Sequence, residues 1–207
     1  LYREPGIFYK NVITTINHLA SKSQPNCIAM IKKFQSKSKR SFSFEVQAPD
    51  FNLSSDRAEQ YLLDDGSSTT SSSYFWESLA IDFIRLSHAL NKIHNNNIVL
   101  ANIQPKSIGF YFNRASFFDY SHALFVPKNF TFGKKADRYY LASCFVEYLV
   151  RKKISNLPLG DPNILRDIFL SFMNRQKFSR SKIDFQNRIL LGLSEFHSKE
   201  EFICQLA

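Results

Sequence analysis

The sequence predicts an α+β chain in two unequal parts, a small mixed one followed by a larger, mainly helical one. Three observations predict it. A stripe of apolar residues at helical spacing is followed by two short apolar runs around a basic turn; a polar Ser/Thr/Gly tract then interrupts the chain; beyond residue 76 apolar stripes at helical spacing recur. At 207 residues, with 44% hydrophobic and 22% charged side chains, the chain is long and apolar enough for a substantial core. That composition excludes whole-chain disorder, a collagen-like repeat and a disulfide-stapled miniature fold.

Taken in order, Phe8 to Ala20 sets Phe8, Val12, Ile13, Ile16, Leu19 and Ala20 on one helical face. Ile28 to Phe34 and the alternating Phe42, Phe44 and Val46 read as two strands joined by the polar turn Ser36 to Arg40, a β-hairpin. The tract from Asp64 to Ser73 cannot bury apolar surface and is expected to be a mobile loop. Trp76 to His94 carries Leu79, Ala80, Phe83, Ile84, Leu86, Leu90 and Ile93 on a broad stripe, a long helix ended by Asn95-Asn96-Asn97. Short apolar pieces between Ile98 and Phe118, broken at Pro105 and at Asn113-Arg114, suit loop, strand, turn and strand. From Asp137 three more stripes follow: Leu141 to Leu149; Ile164, Ile168, Phe169 and Phe172; and Ile189, Leu190 and Leu193.

Lys plus Arg number 27 against 18 Asp plus Glu, a net charge of +9. Such a balance permits nucleic acid, an anionic surface or an acidic protein as partner and selects none of them. Cys27, Cys144 and Cys204 are odd in number and far apart, which argues against zinc or a disulfide framework and for a reducing, intracellular setting, cytoplasm or nucleus. His18, His88, His94, His122 and His197 lack metal-ligand spacing. No apolar run is long enough to span a membrane. The opening Leu1-Tyr2-Arg3-Glu4-Pro5 has neither a signal-like apolar region nor an initiator Met, which suits a piece of a longer protein.

The segment Leu90 to Ile108, with Ile93-His94, Ile98-Val99-Leu100-Ala101-Asn102, Gln104-Pro105-Lys106 and Ser107, resembles the catalytic-loop region of protein kinases. Downstream, Ile108 to Phe112 and Ala115 to Phe118 resemble the hairpin that leads to the metal-binding motif of that family, here Asp119-Tyr120-Ser121. The stretch Asp137 to Leu149 is similar to its helix that opens on an Asp. Upstream, Pro25 to Ile28 and the hairpin resemble the strands leading to the hinge, with Phe44 as gatekeeper and Glu45 and Gln47 at the hinge where nucleotide would bind. The resemblance implies a protein-kinase-like two-lobed fold with an incomplete small lobe in residues 1–48 and a helical large lobe in 49–207.

By position, the resemblance also implies that the chemistry is lost. Phosphoryl transfer needs a carboxylate for the substrate hydroxyl, metal ligands, and cations on the phosphates. The base position falls on Asn102, whose amide cannot accept a proton near neutral pH. The loop lysine falls on Gln104, and the metal-binding Asn on Ser107, a poorer ligand for a hard cation. Asp119 alone is retained, as a vestigial metal ligand. No glycine-rich loop occurs, no acidic residue lies between Glu4 and Glu45 to pair a nucleotide lysine, and only 18 positions separate Asp119 from Asp137. His94 and Asp137 are expected to be structural, with Asp137 capping its helix and bonding the loop backbone.

The expectation is therefore a catalytically inactive domain, without a required cofactor though ATP and magnesium are conceivable ligands, that binds protein partners within a larger complex. Two alternatives accompany it: a weak, atypical kinase using Asp119 for metal, and a basic nucleic-acid-binding module. The basic runs Lys37-Ser38-Lys39-Arg40, Arg151-Lys152-Lys153 and Lys177 to Lys182 would serve the latter, with Phe178 for stacking. Among 21 Phe and 9 Tyr, the aromatics of Phe110-Tyr111-Phe112 and Phe130-Thr131-Phe132 are candidates for a protein interface.

Overall fold

A computed structural model describes residues 5–22, 27–36, 42–54, 71–112, 114–150, 161–175 and 180–196. Over these the chain is mixed α+β, with five α-helices and short strands in small antiparallel sheets. Helix α1, Pro5–Lys22, opens on a proline, whose fixed φ suits a first helical position. It buries Val12, Ile16 and Ala20, four residues apart on one face. Strands β1, Ile31–Ser36, and β2, Phe42–Val46, form the expected hairpin, with Phe34 opposite Phe44. The turn between them lies outside the described residues. Helix α1 is bound to β1 by one side chain. Asn17 donates Nδ2 to the Ile31 carbonyl at 3.0 Å and accepts the Ile31 N–H on Oδ1 at 2.7 Å, standing in for a strand neighbour.

Strand β3, Phe51–Asn52, joins a second sheet with β5, Ile108–Tyr111, and β6, Arg114–Phe117, in the order β3-β5-β6. The stacked rings of Phe51 and Phe110, 4.7 Å apart, seal the β3–β5 pair. A β-carbon on Gly109 would lie 2.6 Å from Pro49, so this strand passes too close to its neighbour for any larger residue. The Cys27–Ala29 segment runs beside β6: Ala29 N–H donates to the Phe117 carbonyl, and Phe117 N–H to that of Cys27.

Helix α2, Ser71–Asn95, starts inside the polar tract expected to be loop, taking in Ser71 to Ser73; the rest of that tract lies outside the described residues. Its end is where the asparagines put it. Asn97 adopts a left-handed φ of 57°, and the Asn97 N–H closes on the His94 carbonyl at 3.0 Å. Strands β4, Ile98–Val99, and β7, Leu124–Phe125, pair antiparallel on either side of the Asp119 segment.

Helix α3, Phe132–Val150, begins five residues before Asp137, so the expectation that Asp137 caps its helix is corrected: it sits within the helix. Helix α4, Pro162–Asn174, is capped by Asp161, which accepts the Asn163 N–H. The cap and Pro162 set the helix phase so that Leu165, Phe169 and Met173 are buried. Ile164, assigned from sequence to the stripe, is 46% exposed. Helix α5, Arg180–Leu193, packs on α2 and α3, and a β-carbon on Gly192 would come within 2.7 Å of Ala142 on α3.

The helical core centres on Phe185, whose ring lies 6.0 Å from Trp76, 6.2 Å from Phe83 and Phe145, and 6.4 Å from Phe169. It thereby joins α2, α3, α4 and α5. Phe185→Ala should cost about 3–5 kcal/mol in urea unfolding, whereas Leu191→Ala on the exposed face of α5 should change stability by about 0.5 kcal/mol or less. A Phe185→Ala loss below about 1 kcal/mol would show that the four helices do not share one core.

Helix α2 also buries an acid. Asp82 is 7% exposed, and burial pushes its carboxyl up to about 6 although the Ala115 N–H and the Arg85 guanidinium pull it down. The folded state thus holds the proton more tightly than the unfolded chain. Stability from this group is full below about pH 4 and lost as the pH rises through about 6. Asp82→Asn, which cannot ionise, should therefore stabilise the protein by on the order of 2 kcal/mol near pH 8 and by nothing near pH 4. A gain of the same size at both ends of the melting series would contradict this origin.

Candidate functional site

The sequence-assigned residues gather where the end of α2, the 100–107 loop, the start of the 119–121 segment and α3 meet. Asp137, fully buried, reaches from α3 into the loop. One carboxylate oxygen accepts the Leu100 N–H at 2.8 Å and stands 2.9 Å from His94 Nε2; the other accepts the Ala101 N–H at 2.9 Å. A carboxylate offers only acceptors to these groups, so His94 donates from Nε2. The expected bond from Asp137 to the loop backbone is present, and His94, 3% exposed, is its third partner. His94 Nδ1 has no partner among the described residues.

This anchor holds the loop in a costly shape. Ala101 adopts φ 56°, a left-handed conformation that a β-carbon disfavours by roughly 1–2 kcal/mol. From there the chain presents Asn102 to Asp119. Asn102 Nδ2 donates to Asp119 Oδ2 at 3.1 Å, and Asn102 Oδ1 accepts from Gln104 Nε2 at 2.7 Å. The other Asp119 oxygen accepts the Ser121 N–H at 3.0 Å. Ser107, buried, turns its hydroxyl back on the loop, accepting from the Gln104 N–H and donating to the Gln104 carbonyl. Asn102, Gln104, Ser107 and Asp119 are thus brought into one polar network, and the first three spend donors or acceptors on one another or on Asp119.

Glu45 and Gln47 bond elsewhere. Glu45 forms an exposed ion pair with Lys33 at 3.9 Å, a contact worth little in water, and the Gln47 carbonyl accepts the Tyr111 hydroxyl at 2.6 Å.

Two tyrosines brace the cluster from outside: Tyr120, which follows Asp119 in the motif, and Tyr9, which nothing in the sequence pattern singled out. Tyr120, fully buried, shares its one hydroxyl hydrogen between the backbone carbonyls of Ala29 and Phe117, and burial pushes its phenol well above its ordinary range. Tyr9, on α1, donates to the Ser121 carbonyl, and burial together with the Asp119 charge raises its phenol. These contacts fix the backbone on both sides of Asp119.

Chemically, the cluster holds one carboxylate, two carboxamides and a hydroxyl. Neither a carboxamide nor a hydroxyl takes up a proton near neutral pH. Among the described residues, no group of three or more His, Cys, Asp or Glu side chains is placed to hold a metal. Cys27 and Cys144 are buried free thiols; burial drives Cys27 up to about 11 and Cys144 well above its usual value, so neither is an activated nucleophile.

Of the three basic runs, two lie outside the described residues, as do Lys177 and Phe178 of the third. Its remainder opens α5, where Lys182 is 7% exposed and so is no part of a solvated basic face. The aromatic candidates also divide. Phe110 is buried and Phe132 packs on Phe196, whereas Phe112 is 85% exposed at the β5–β6 turn. No helix among the described residues is long and apolar enough to cross a membrane. No protein-family model matches the chain, and no curated protein matches it.

Asp137→Ala would leave the His94, Leu100 and Ala101 donors without their acceptor in a buried site. At about 1–3 kcal/mol for each stranded group, the variant should lose on the order of 3 kcal/mol or more of stability. A loss under about 1 kcal/mol in chemical denaturation would mean that the loop does not depend on this carboxylate.

Proposed function

We propose that the chain is a degenerate protein-kinase-like domain that has lost phosphotransfer and serves as a protein-binding scaffold or allosteric regulator. The sequence resemblance runs in order from the hairpin through the loop to the Asp137 helix, and the element order is compatible with it. The single observation that carries the loss of activity is the state of Asn102. At the position implied for the base it presents an amide, and that amide is already bonded to Asp119. A general base must accept a proton within hydrogen-bond reach of the substrate, and a carboxamide cannot. Gln104 adds no positive charge for a transferring phosphate, and Ser107 closes its own turn rather than facing a cation.

With the chemistry gone, what such a fold retains is its surface, and recognition is the function left to it. Protein partners within a larger assembly suit the basic balance of the chain, and the buried free thiols suit a reducing compartment, cytoplasm or nucleus. Neither ATP nor magnesium is needed for this role. Residues 1–48 would form the incomplete small lobe, with Glu45 and Gln47 at its hinge, and 49–207 the helical one.

The test is a phosphotransfer assay with labelled ATP and either magnesium or manganese, run beside thermal melts in the same ligands. The wild-type chain should transfer no phosphate, and ATP with magnesium should leave its melting temperature unchanged. Phosphotransfer that disappears in Asp119→Ala would overturn the proposal in favour of an atypical kinase.

A further inference from the structure

A cavity of about 260 Å³ opens between α2, α3 and α5, away from the polar cluster. Its apolar walls come from Phe83, Ile84 and Leu90 on α2, Leu141 on α3 and Leu191 on α5. Leu191 is 72% exposed, an aliphatic side chain held in water at the lip although the core of α5 is otherwise well filled. Gly192 lets α5 approach α3 closely at the floor, and any larger residue there would meet Ala142.

The polar part of the lining mixes the neutral Ser87 and Asn91 with charged groups in which arginine outnumbers acid. Arg138 and Arg188 both line the cavity, with His88 beside them and Glu195 as the one acid. Glu195 is consumed: both its oxygens accept from the Arg138 guanidinium, one of them at 3.1 Å. Arg188 has no hydrogen-bond or ion-pair partner among the described residues, and Asp184, one turn earlier on α5, does not pair with it. The site thus combines an apolar hollow, an exposed leucine and an unneutralised guanidinium.

We propose that this cavity is a docking site for an acidic segment of a partner protein, which inserts one large apolar side chain and sets a carboxylate on Arg188. Size favours an anchor over a cofactor, because the volume falls below the roughly 300–1,000 Å³ of most small-molecule sites. The charge then selects the segment: a planar guanidinium binds a carboxylate through two parallel bonds, and a basic peptide would be repelled. Aromatic and aliphatic anchors seated in a pocket and rimmed by charge are the usual source of binding energy at such contacts. The inference rests on reading the chain as a binding domain and names the surface and the kind of partner.

Random peptides displayed on phage and selected against the full chain test it. The selected peptides should carry Trp, Phe or Leu within one helical turn of an Asp or Glu. Synthetic copies should lose roughly tenfold or more in affinity for Arg188→Glu and for Leu191→Asp, both at exposed positions, and keep it for the remote control Lys33→Glu. Selection against Arg188→Glu should in turn yield peptides with Lys or Arg in place of the acid. Selected peptides without an acid, or binding indifferent to Arg188→Glu, would overturn the site. Those outcomes would leave the inactive-kinase reading intact, because that reading answers to the phosphotransfer assay instead.

Discussion

The arrangement depends first on the buried carboxylate of Asp137. It gathers three donors, the imidazole at the end of α2 and two successive N–H groups of the loop, into one point on α3. Buried donors must be satisfied, so the loop cannot leave this anchor without stranding them. The anchor also sustains the left-handed Ala101, which a free loop would abandon. Everything downstream follows from that turn, since it aims Asn102 at Asp119 and leaves Gln104 to close the chain of amides.

On the far side of Asp119 the constraint is aromatic. Tyr9 and Tyr120 grip the backbone of residues 29, 117 and 121 through their hydroxyls, tying α1, the Cys27–Ala29 segment and β6 to the same point. The polar cluster is therefore held from two directions by groups that play no part in it. The backbone on both sides of Asp119 is thus tied by hydrogen bonds to other parts of the chain.

Much of this was legible in sequence and some was not, for physical reasons. The α1, α2 and hairpin readings succeeded because burial imposes a period that survives in the residue order, as with Val12, Ile16 and Ala20. The asparagines ended α2 where they stood because Asn tolerates a left-handed φ. The start of α3 was misplaced because Asp137 looks like a cap, while Thr131, the hydroxyl residue that stands just before the helix, lies between two aromatics that read as an interface candidate. Ile164 was assigned inward because apolarity marks a stripe only to within its phase, and the Asp161 cap set that phase. The Asn102–Asp119 neighbourhood came from the family resemblance; its hydrogen bonds did not. The hydrogen bonds of Tyr9, Asn17 and Tyr120 left no signal, since a tyrosine or asparagine reads the same whether its polar end meets water or a carbonyl far along the chain.

The chemical meaning of the cluster lies in what two carboxylates would require. Two acids about 3 Å apart repel unless a proton or a cation lies between them. Here the group facing Asp119 is an amide, whose N–H meets one carboxylate oxygen at 3.1 Å without like-charge repulsion. Calorimetric melting of the wild-type chain and of Asn102→Asp, each in chelator and in millimolar manganese, tests this most directly. The account predicts a wild-type melting temperature indifferent to manganese, and a variant that is weakened in chelator and restored by the ion. A wild-type chain that manganese stabilises through Asp119, or a variant as stable as wild type in chelator, would contradict it.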